Sequence, residues 1–124
     1  MSRNKKKKKI SVNKIEHTVA HLLDNMNLLY ERQVQLDKYT VDFLVHGKYI
    51  IECYGDYWHC NPLLYTSSYY NKGKKKTADE IWKRDECRRL TFEALGFKFL
   101  SLWEGEIRNN HKSIRQKIKR FTNE

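Results

Sequence analysis

Four ionisable residues interrupt or follow apolar stretches, and their types are those that bind metal ions and transfer protons. Asp42 lies within a Val-x-Phe-Leu-Val stretch, Glu52 follows Tyr-Ile-Ile, and His59 and Asp85 come later in the chain. A charge inside a strand costs free energy unless it is paired or bound to a metal. Adjacent carboxylates repel each other, so a divalent cation such as Mg²⁺, which prefers oxygen ligands, is a natural third partner.

The elements that must position these residues follow from the hydrophobic pattern. Apolar residues at three- and four-residue steps predict a helix from about 12 to 26, with Glu16 at the edge of its apolar stripe. Three strands are then predicted, over Tyr30–Leu36, Thr40–Val45 and Tyr49–Tyr54. The first strand alternates apolar and polar residues, while the third begins with a continuous apolar run that is typical of a central strand.

A tight turn joins the second and third strands. Residues 46–48 read His-Gly-Lys, and Gly47 tolerates the positive φ that such a turn requires. If Val45 pairs with Tyr49, Asp42 lies opposite Glu52. A slip of one residue would move the two carboxylates to opposite faces of the sheet, so the register decides whether they meet.

The second half of the chain predicts a long loop, a helix, a strand and a further helix. The loop covers 60–76, and loops of that length are often functional. Thr77 and Glu80 form a capping box that starts a helix ending before Gly96. A strand follows at 97–103, and a basic helix at 110–122. The order α-β-β-β-α-β-α predicts an α/β sandwich, with one mixed four-stranded sheet flanked by helices.

The net charge is +10 at pH 7, and positive charge is concentrated in three segments that contain no acid. These segments are residues 1–9, 72–76 and 112–120, and the rest of the chain is mildly acidic. We expect residues 1–9 to form a flexible basic arm in front of a single domain at 10–124. Three separate basic segments favour a polyanion as partner.

Several classes of protein are excluded by composition. No apolar run approaches the roughly 18–20 residues that span a bilayer, and no signal-peptide pattern follows the basic N-terminus, so we expect an intracellular protein that is neither secreted nor membrane-bound. Cys53, Cys60 and Cys87 are odd in number and lack CxxC spacing. They therefore argue against a disulfide framework and supply no closed zinc site by themselves.

Several separate stretches occur in the order found in one group of nucleases. They are Val41-Asp42-Phe43, the run from Ile50 to His59 (IIECYGDYWH), Arg84-Asp85, and the run from Leu95 to Glu104 that ends in Trp-Glu. Over about residues 12–110, the chain resembles the very short patch repair (Vsr) endonucleases. It is also similar to homing endonucleases with a Glu-Asp-x-His-Asp pattern and, more loosely, to the PD-(D/E)XK superfamily. The resemblance implies a restriction-endonuclease-like sandwich.

The resemblance also implies a role for each matching residue. Asp42 would be the main ligand of Mg²⁺, for which Mn²⁺ would substitute, helped by the main-chain carbonyl of Cys53. His59 would be the general base that deprotonates the attacking water. Asp85 would orient His59, and Glu16 would complete the hydrogen-bond network around the water.

The chain departs from the family patterns in three respects. Tyr54 stands where the superfamily has a lysine, so more of the catalysis would fall on His59. Glu52 replaces a residue that is usually apolar in Vsr proteins, and it is either a second metal ligand or a spare carboxylate. The cysteines and histidines of the Vsr zinc site are not present in the right places, so no structural zinc is expected.

We therefore expect a metal-dependent endonuclease of double-stranded DNA, of the homing type, that nicks as a monomer and cuts both strands only as a dimer or in two events. One alternative is a mismatch-directed repair nickase, and another is an inactive DNA- or RNA-binding module. By the resemblance, Tyr57 and Trp58 would wedge into the duplex. The basic residues expected to contact DNA are Lys5, Lys6, Lys7, Lys72, Lys74, Lys75, Lys76, Lys117 and Arg120.

Overall fold

The computed structural model describes residues 3–123 and, within them, the side chains of residues 14–123. In chain order, the elements of this range are α1 (Arg3–Asn25), β1 (Tyr30–Leu36), β2 (Tyr39–Val45), β3 (Tyr49–Tyr54), β4 (Tyr70–Asn71), β5 (Lys76–Thr77), α2 (Ala78–Ala94), β6 (Lys98–Trp103), α3 (Glu104–Asn109) and α4 (His111–Thr122).

Four of the strands form one mixed sheet in the order β1-β2-β3-β6. The β1–β2 and β2–β3 pairs are antiparallel, and β3 pairs with β6 in parallel. β3 is buried along its whole length, as its continuous apolar run predicts for a central strand. The predicted α/β sandwich with a mixed four-stranded sheet is confirmed.

Helices cover both faces of this sheet. On one face, Val19 of α1 and Ile114 of α4 join Ile51 of β3 in the larger hydrophobic cluster, to which α3 also contributes. On the other face, Phe92 of α2 packs with Ile50 of β3. Successive residues of a strand point to opposite faces, so β3 presents alternate side chains to α1 and to α2.

The β2–β3 turn has the predicted register. Val45 pairs with Tyr49, and the turn residues His46 and Gly47 have φ angles of 52° and 67°. The same register places Asp42 and Glu52 at opposite positions, one step beyond the last pair of the ladder.

The capping box at the start of α2 is also confirmed. The Thr77 hydroxyl accepts the Glu80 N–H at 3.3 Å, and the Glu80 carboxylate accepts the Thr77 N–H at 2.9 Å. Gly96 follows the helix with a φ of 99°, in the left-handed region where glycine is favoured. This fixed start determines which residues of α2 face the sheet.

Three features differ from the expected elements. α1 begins at Arg3, not near Val12, so the segment expected to be a flexible arm is helical from Arg3; lysines favour helix and no Gly or Pro interrupts them. A short two-stranded sheet, β4–β5, lies at the end of the predicted 60–76 loop. The short helix α3 was not predicted, and it precedes the expected C-terminal helix, which is α4. Within the described residues, every helix is too short or too polar to cross a membrane.

Candidate active site

Asp42 lies at a break in both of its strand pairings. In the described β1–β2 ladder, the rung that would join Gln33 to Asp42 is skipped, and Gln33 has a left-handed φ of 51°. The β2–β3 ladder ends at the Phe43–Ile51 pair, next to Asp42. Backbone strain of this kind concentrates at functional sites and is maintained by the surrounding structure.

The carboxylate of Asp42 is bonded on one side and crowded by negative charge on the other. Its Oδ2 accepts the Cys53 N–H at 2.8 Å, and its Oδ1 has a longer contact of 3.4 Å to the Gln33 amide. Burial raises the pKa of Asp42 to about 7; the Cys53 N–H opposes this rise, and the carboxylates of Glu16 and Glu52 add to it. The site therefore carries more negative charge than its own donors compensate.

Glu16, on helix α1, also contacts the Gln33 amide that lies near Asp42. It is buried, and its Oε1 accepts the Gln33 amide N–H at 2.9 Å and lies 3.6 Å from the Arg32 guanidinium. Burial raises the pKa of Glu16, although Arg32 and Gln33 oppose the shift. One amide group, that of Gln33, thus connects Glu16 and Asp42.

Glu52 is placed next to Asp42 but is already paired. Its side chain faces α2, where the Arg88 guanidinium donates to Oε1 and to Oε2, each at 3.1 Å. Arg88 also donates to the Thr40 carbonyl at 2.8 Å and stacks over the rings of Tyr39 and Phe92. Both oxygens of Glu52 are therefore committed to an ion pair.

His59 and Asp85 are in contact, as the family resemblance implies. The His59 Nδ1 lies 2.8 Å from the Asp85 Oδ2, and both side chains are partly exposed. The His59 main chain is fixed by a hydrogen bond from its N–H to the Gly55 carbonyl at 3.0 Å. A carboxylate on one ring nitrogen sets the tautomer, and it leaves Nε2 as the nitrogen that accepts a proton.

Tyr54 connects the two halves of the site. Its ring stacks on His59, with centroids 3.9 Å apart and planes 6° apart. Burial raises the pKa of Tyr54, and Asp85, Glu52 and Asp42 all add to the rise. The preceding residue, Cys53, donates its N–H to Asp42, so neighbouring residues of β3 contact the carboxylate half and the imidazole half of the site.

Tyr57 and Trp58 contact the basic turn between β4 and β5. The Tyr57 hydroxyl accepts the Gly73 N–H at 3.1 Å. Trp58 packs on Gly73 so closely that a Cβ there would lie 2.5 Å from its ring. Both aromatic residues are half-buried, so insertion into a duplex would first require them to leave this turn.

The basic residues predicted to contact DNA differ in their exposure and in their partners. Lys72 and Lys75 are exposed, whereas Lys74 and Lys76 are half-buried. On α4, Arg120 is exposed, and the ammonium of Lys117 pairs with Glu106 at 2.6 Å. The side chains of Lys5, Lys6 and Lys7 lie outside the described residues.

Sequence reasoning missed two residues that organise the site, Gln33 and Arg88. Arg88 lies three residues after Asp85, so the two share a face of α2, and this spacing was a usable signal. Gln33 offered none, because its importance comes from a strained backbone and a contact with a residue of another layer.

The fold is that of an α/β nuclease-like domain. The catalytic domain of the homing endonuclease I-Bth0305I has a similar structure, with a TM-score of 0.64 and 22% sequence identity, over 86% of this chain and 91% of that chain. No protein-family model matches the chain, and no curated protein matches it. The likeness shows the fold.

Proposed function

We propose that this protein is a metal-dependent DNA endonuclease of the Vsr-like, homing type within the PD-(D/E)XK superfamily. The observation that carries the proposal is that β3 links a charge-crowded carboxylate to a His–Asp pair. The Cys53 N–H bonds Asp42, and the next residue, Tyr54, stacks on His59, which contacts Asp85. Hydrolysis of a phosphodiester needs a base for water and a positive charge for the phosphate, and these residues supply the first and attract the second.

The residues around Asp42 fit Mg²⁺ in one particular mode. Among the described residues, no three His, Cys, Asp or Glu side chains lie close enough together to hold a metal ion. Mg²⁺ is often bound by one or two carboxylates together with water and substrate phosphate. Asp42 fits that mode, and so does the Cys53 carbonyl, which lies on the same side of β3 as the N–H that bonds Asp42.

The two carboxylates next to Asp42 receive different roles in this proposal. Glu52 remains in its ion pair with Arg88, so it is not a metal ligand. Glu16 is held by the Gln33 amide and positions water beside Asp42. When bound, Mg²⁺ or Mn²⁺ would polarise the scissile phosphate and offset the charge that develops on it.

His59 acts as the general base. Asp85 holds Nδ1, so Nε2 takes the proton of the attacking water, and the stacked Tyr54 ring fixes the plane of the imidazole. The product strand would carry a 5′-phosphate. One such site per chain supports nicking by a monomer, and two chains would be needed to cut both strands at once.

A supercoiled plasmid assay tests this proposal. We expect nicking with Mg²⁺, none with EDTA, and nicking slower by about 100-fold or more for Asp42→Ala and His59→Ala with Mg²⁺, while all three proteins bind duplex DNA. A chain that binds DNA equally with and without Mg²⁺ and never cuts it would be a binding module. A preference for T·G over matched duplexes would identify a repair nickase.

A further inference from the structure

The structure has a cavity of about 320 Å³ between the β4–β5 turn and α2, and one of its lining residues, Asp85, is bonded to His59. We propose that this cavity is a subsite for one backbone phosphate of the DNA strand that is cut. The inference rests on the proposed function and adds to it a defined anion site. Its walls are Lys74, Lys76, Ile81, Arg84 and Asp85.

The cations of the cavity differ from the other cations of α2 in their partners. Among the described residues, no acid lies within 4 Å of the charged groups of Lys74, Lys76 or Arg84. On the same helix, Arg88 pairs with Glu52, Lys83 pairs with Asp79, and Arg89 pairs with two glutamates. The cavity therefore holds positive charge that the protein itself does not compensate.

The single acid of the cavity does not cancel this charge. Asp85 is bonded to His59, and three cations share the cavity with it. Burial lowers the pKa of Lys74, while Asp85 raises it. A partly desolvated ammonium without a bonded counter-ion gains free energy when an anion enters, and a phosphate fits within the cavity and suits its cationic donors.

One buried amide fixes the cavity relative to His59. The side chain of Asn71 is fully buried, and its Oδ1 accepts the Lys74 N–H at 2.9 Å. Its Nδ2 donates to the Tyr57 carbonyl at 2.8 Å and contacts the Cys60 sulfur at 3.6 Å. Tyr57 and Cys60 flank His59 in sequence. The basic turn and the proposed base are therefore held together as one unit.

This coupling explains why the phosphate would belong to the strand that is cut. A phosphate held in the cavity sits beside Asp85, which also orients the base, so binding there would set the position of the strand relative to His59. Contacts to phosphate fix register on a nucleic acid without reading its sequence.

The first test uses inorganic phosphate and the full chain in EDTA. We expect saturable shifts of the backbone amides of residues 74 and 84 in ¹H–¹⁵N NMR spectra, lost in the cavity variant Lys74→Met/Arg84→Met. The matched variant Lys48→Met/Lys83→Met removes the same charge outside the cavity and should keep the shifts. Shifts that are absent, or that persist in the cavity variant, would overturn the site.

The second test uses a 20-base-pair duplex in EDTA and separates the sources of phosphate. The cavity variant should bind the duplex about 10-fold more weakly, with a salt slope shallower by about one to two. The matched variant should lose less affinity for the duplex, and its salt slope should change less. If inorganic phosphate binds in the cavity but the two variants respond equally to the duplex, the site takes free phosphate and the strand assignment is wrong.

These results are separable from the nuclease assay. Phosphate shifts and a changed salt slope in a chain that never cuts DNA would support the subsite and overturn the endonuclease. If the wild-type protein cuts DNA in a metal-dependent way but the cavity variant keeps the wild-type salt slope, the endonuclease is supported and the subsite is overturned. Circular dichroism of each variant confirms that the fold is kept.

Discussion

The Arg88 guanidinium contacts both carboxylate oxygens of Glu52, each at 3.1 Å, across the interface between α2 and the sheet. A bidentate pair of this kind compensates a carboxylate that is buried in the sheet. The pair also gives the two strand carboxylates different roles. Glu52 is bound by Arg88, whereas Asp42 remains to attract a cation.

The Arg88–Glu52 pair predicts a specific pattern of stability. Arg88→Met leaves Glu52 buried without a partner and should lower the free energy of unfolding by about 3 kcal/mol, near the lower end for a broken buried pair. The double variant Glu52→Gln/Arg88→Met should recover most of this loss. Urea unfolding measures both changes. The control is Arg89→Met, whose partners lie on the surface of α2 and which should lower the free energy of unfolding by less than about 1 kcal/mol.

The same pair makes a prediction about activity. Glu52→Gln should keep metal-dependent nicking within about 10-fold of wild type, because the acid is not a metal ligand in this account. A loss as large as that of Asp42→Ala, in a variant that remains folded, would return Glu52 to the metal site.

Asp42 predicts how stability depends on pH. Its pKa is raised to about 7 in the folded protein from an ordinary value of 3.8, so the folded state binds more protons between these values. Stability from this group is therefore fully present below about pH 4 and lost as the pH rises through 7. In EDTA, Asp42→Asn should be more stable than wild type at pH 8, by about 1–3 kcal/mol. At pH 4 this advantage should largely vanish.

Thermal unfolding of both proteins at the two pH values measures this difference. Equal stability of Asp42→Asn and wild type at pH 8 would contradict the charge crowding at Asp42. The control is Asp37→Asn, at the exposed β1–β2 turn, which should show little difference at either pH.

Gln33 connects Glu16 to Asp42 and predicts an effect on rate without a loss of stability. Gln33→Gly removes both amide contacts but suits the left-handed φ of 51°. We expect an unchanged or slightly higher midpoint of unfolding and a nicking rate lower by about 10-fold or more. Gln35→Gly, two residues along β1, is the matched control and should cut at nearly the wild-type rate. The reverse ranking would mean that Gln33 has no part in the site.

The Asp85–His59 contact predicts a loss of rate with unchanged binding. Asp85→Asn keeps the size of the side chain but no longer holds the imidazole as a carboxylate does, so we expect single-turnover cutting to fall about 100-fold or more. Binding of duplex in EDTA should be unaffected or slightly tighter. Asp79→Asn, in the first turn of the same helix, should leave the rate within about twofold. Comparable rates for the two variants would remove Asp85 from the mechanism.

How much was predictable depends on how local the signal is. The bounds of β1 and β3, the Val45–Tyr49 register and the Thr77 capping box follow from alternation, a Gly turn and one capping pattern, all short-range. The pairing of His59 with Asp85 was predicted only through family resemblance. Gln33 was not foreseen, because a strained φ and a contact between layers arise only when distant segments pack. Arg88 was also missed, although its three-residue spacing from Asp85 on α2 was a usable signal.

We propose that Asp42 and His59 carry metal-dependent cleavage of DNA, and nicking of supercoiled plasmid by wild type, Asp42→Ala and His59→Ala tests this directly. We expect cutting by wild type with Mg²⁺ or Mn²⁺, none in EDTA, and losses of about 100-fold or more in both variants while duplex binding is kept. Equal cutting by all three proteins, or cutting by wild type in EDTA, would contradict it.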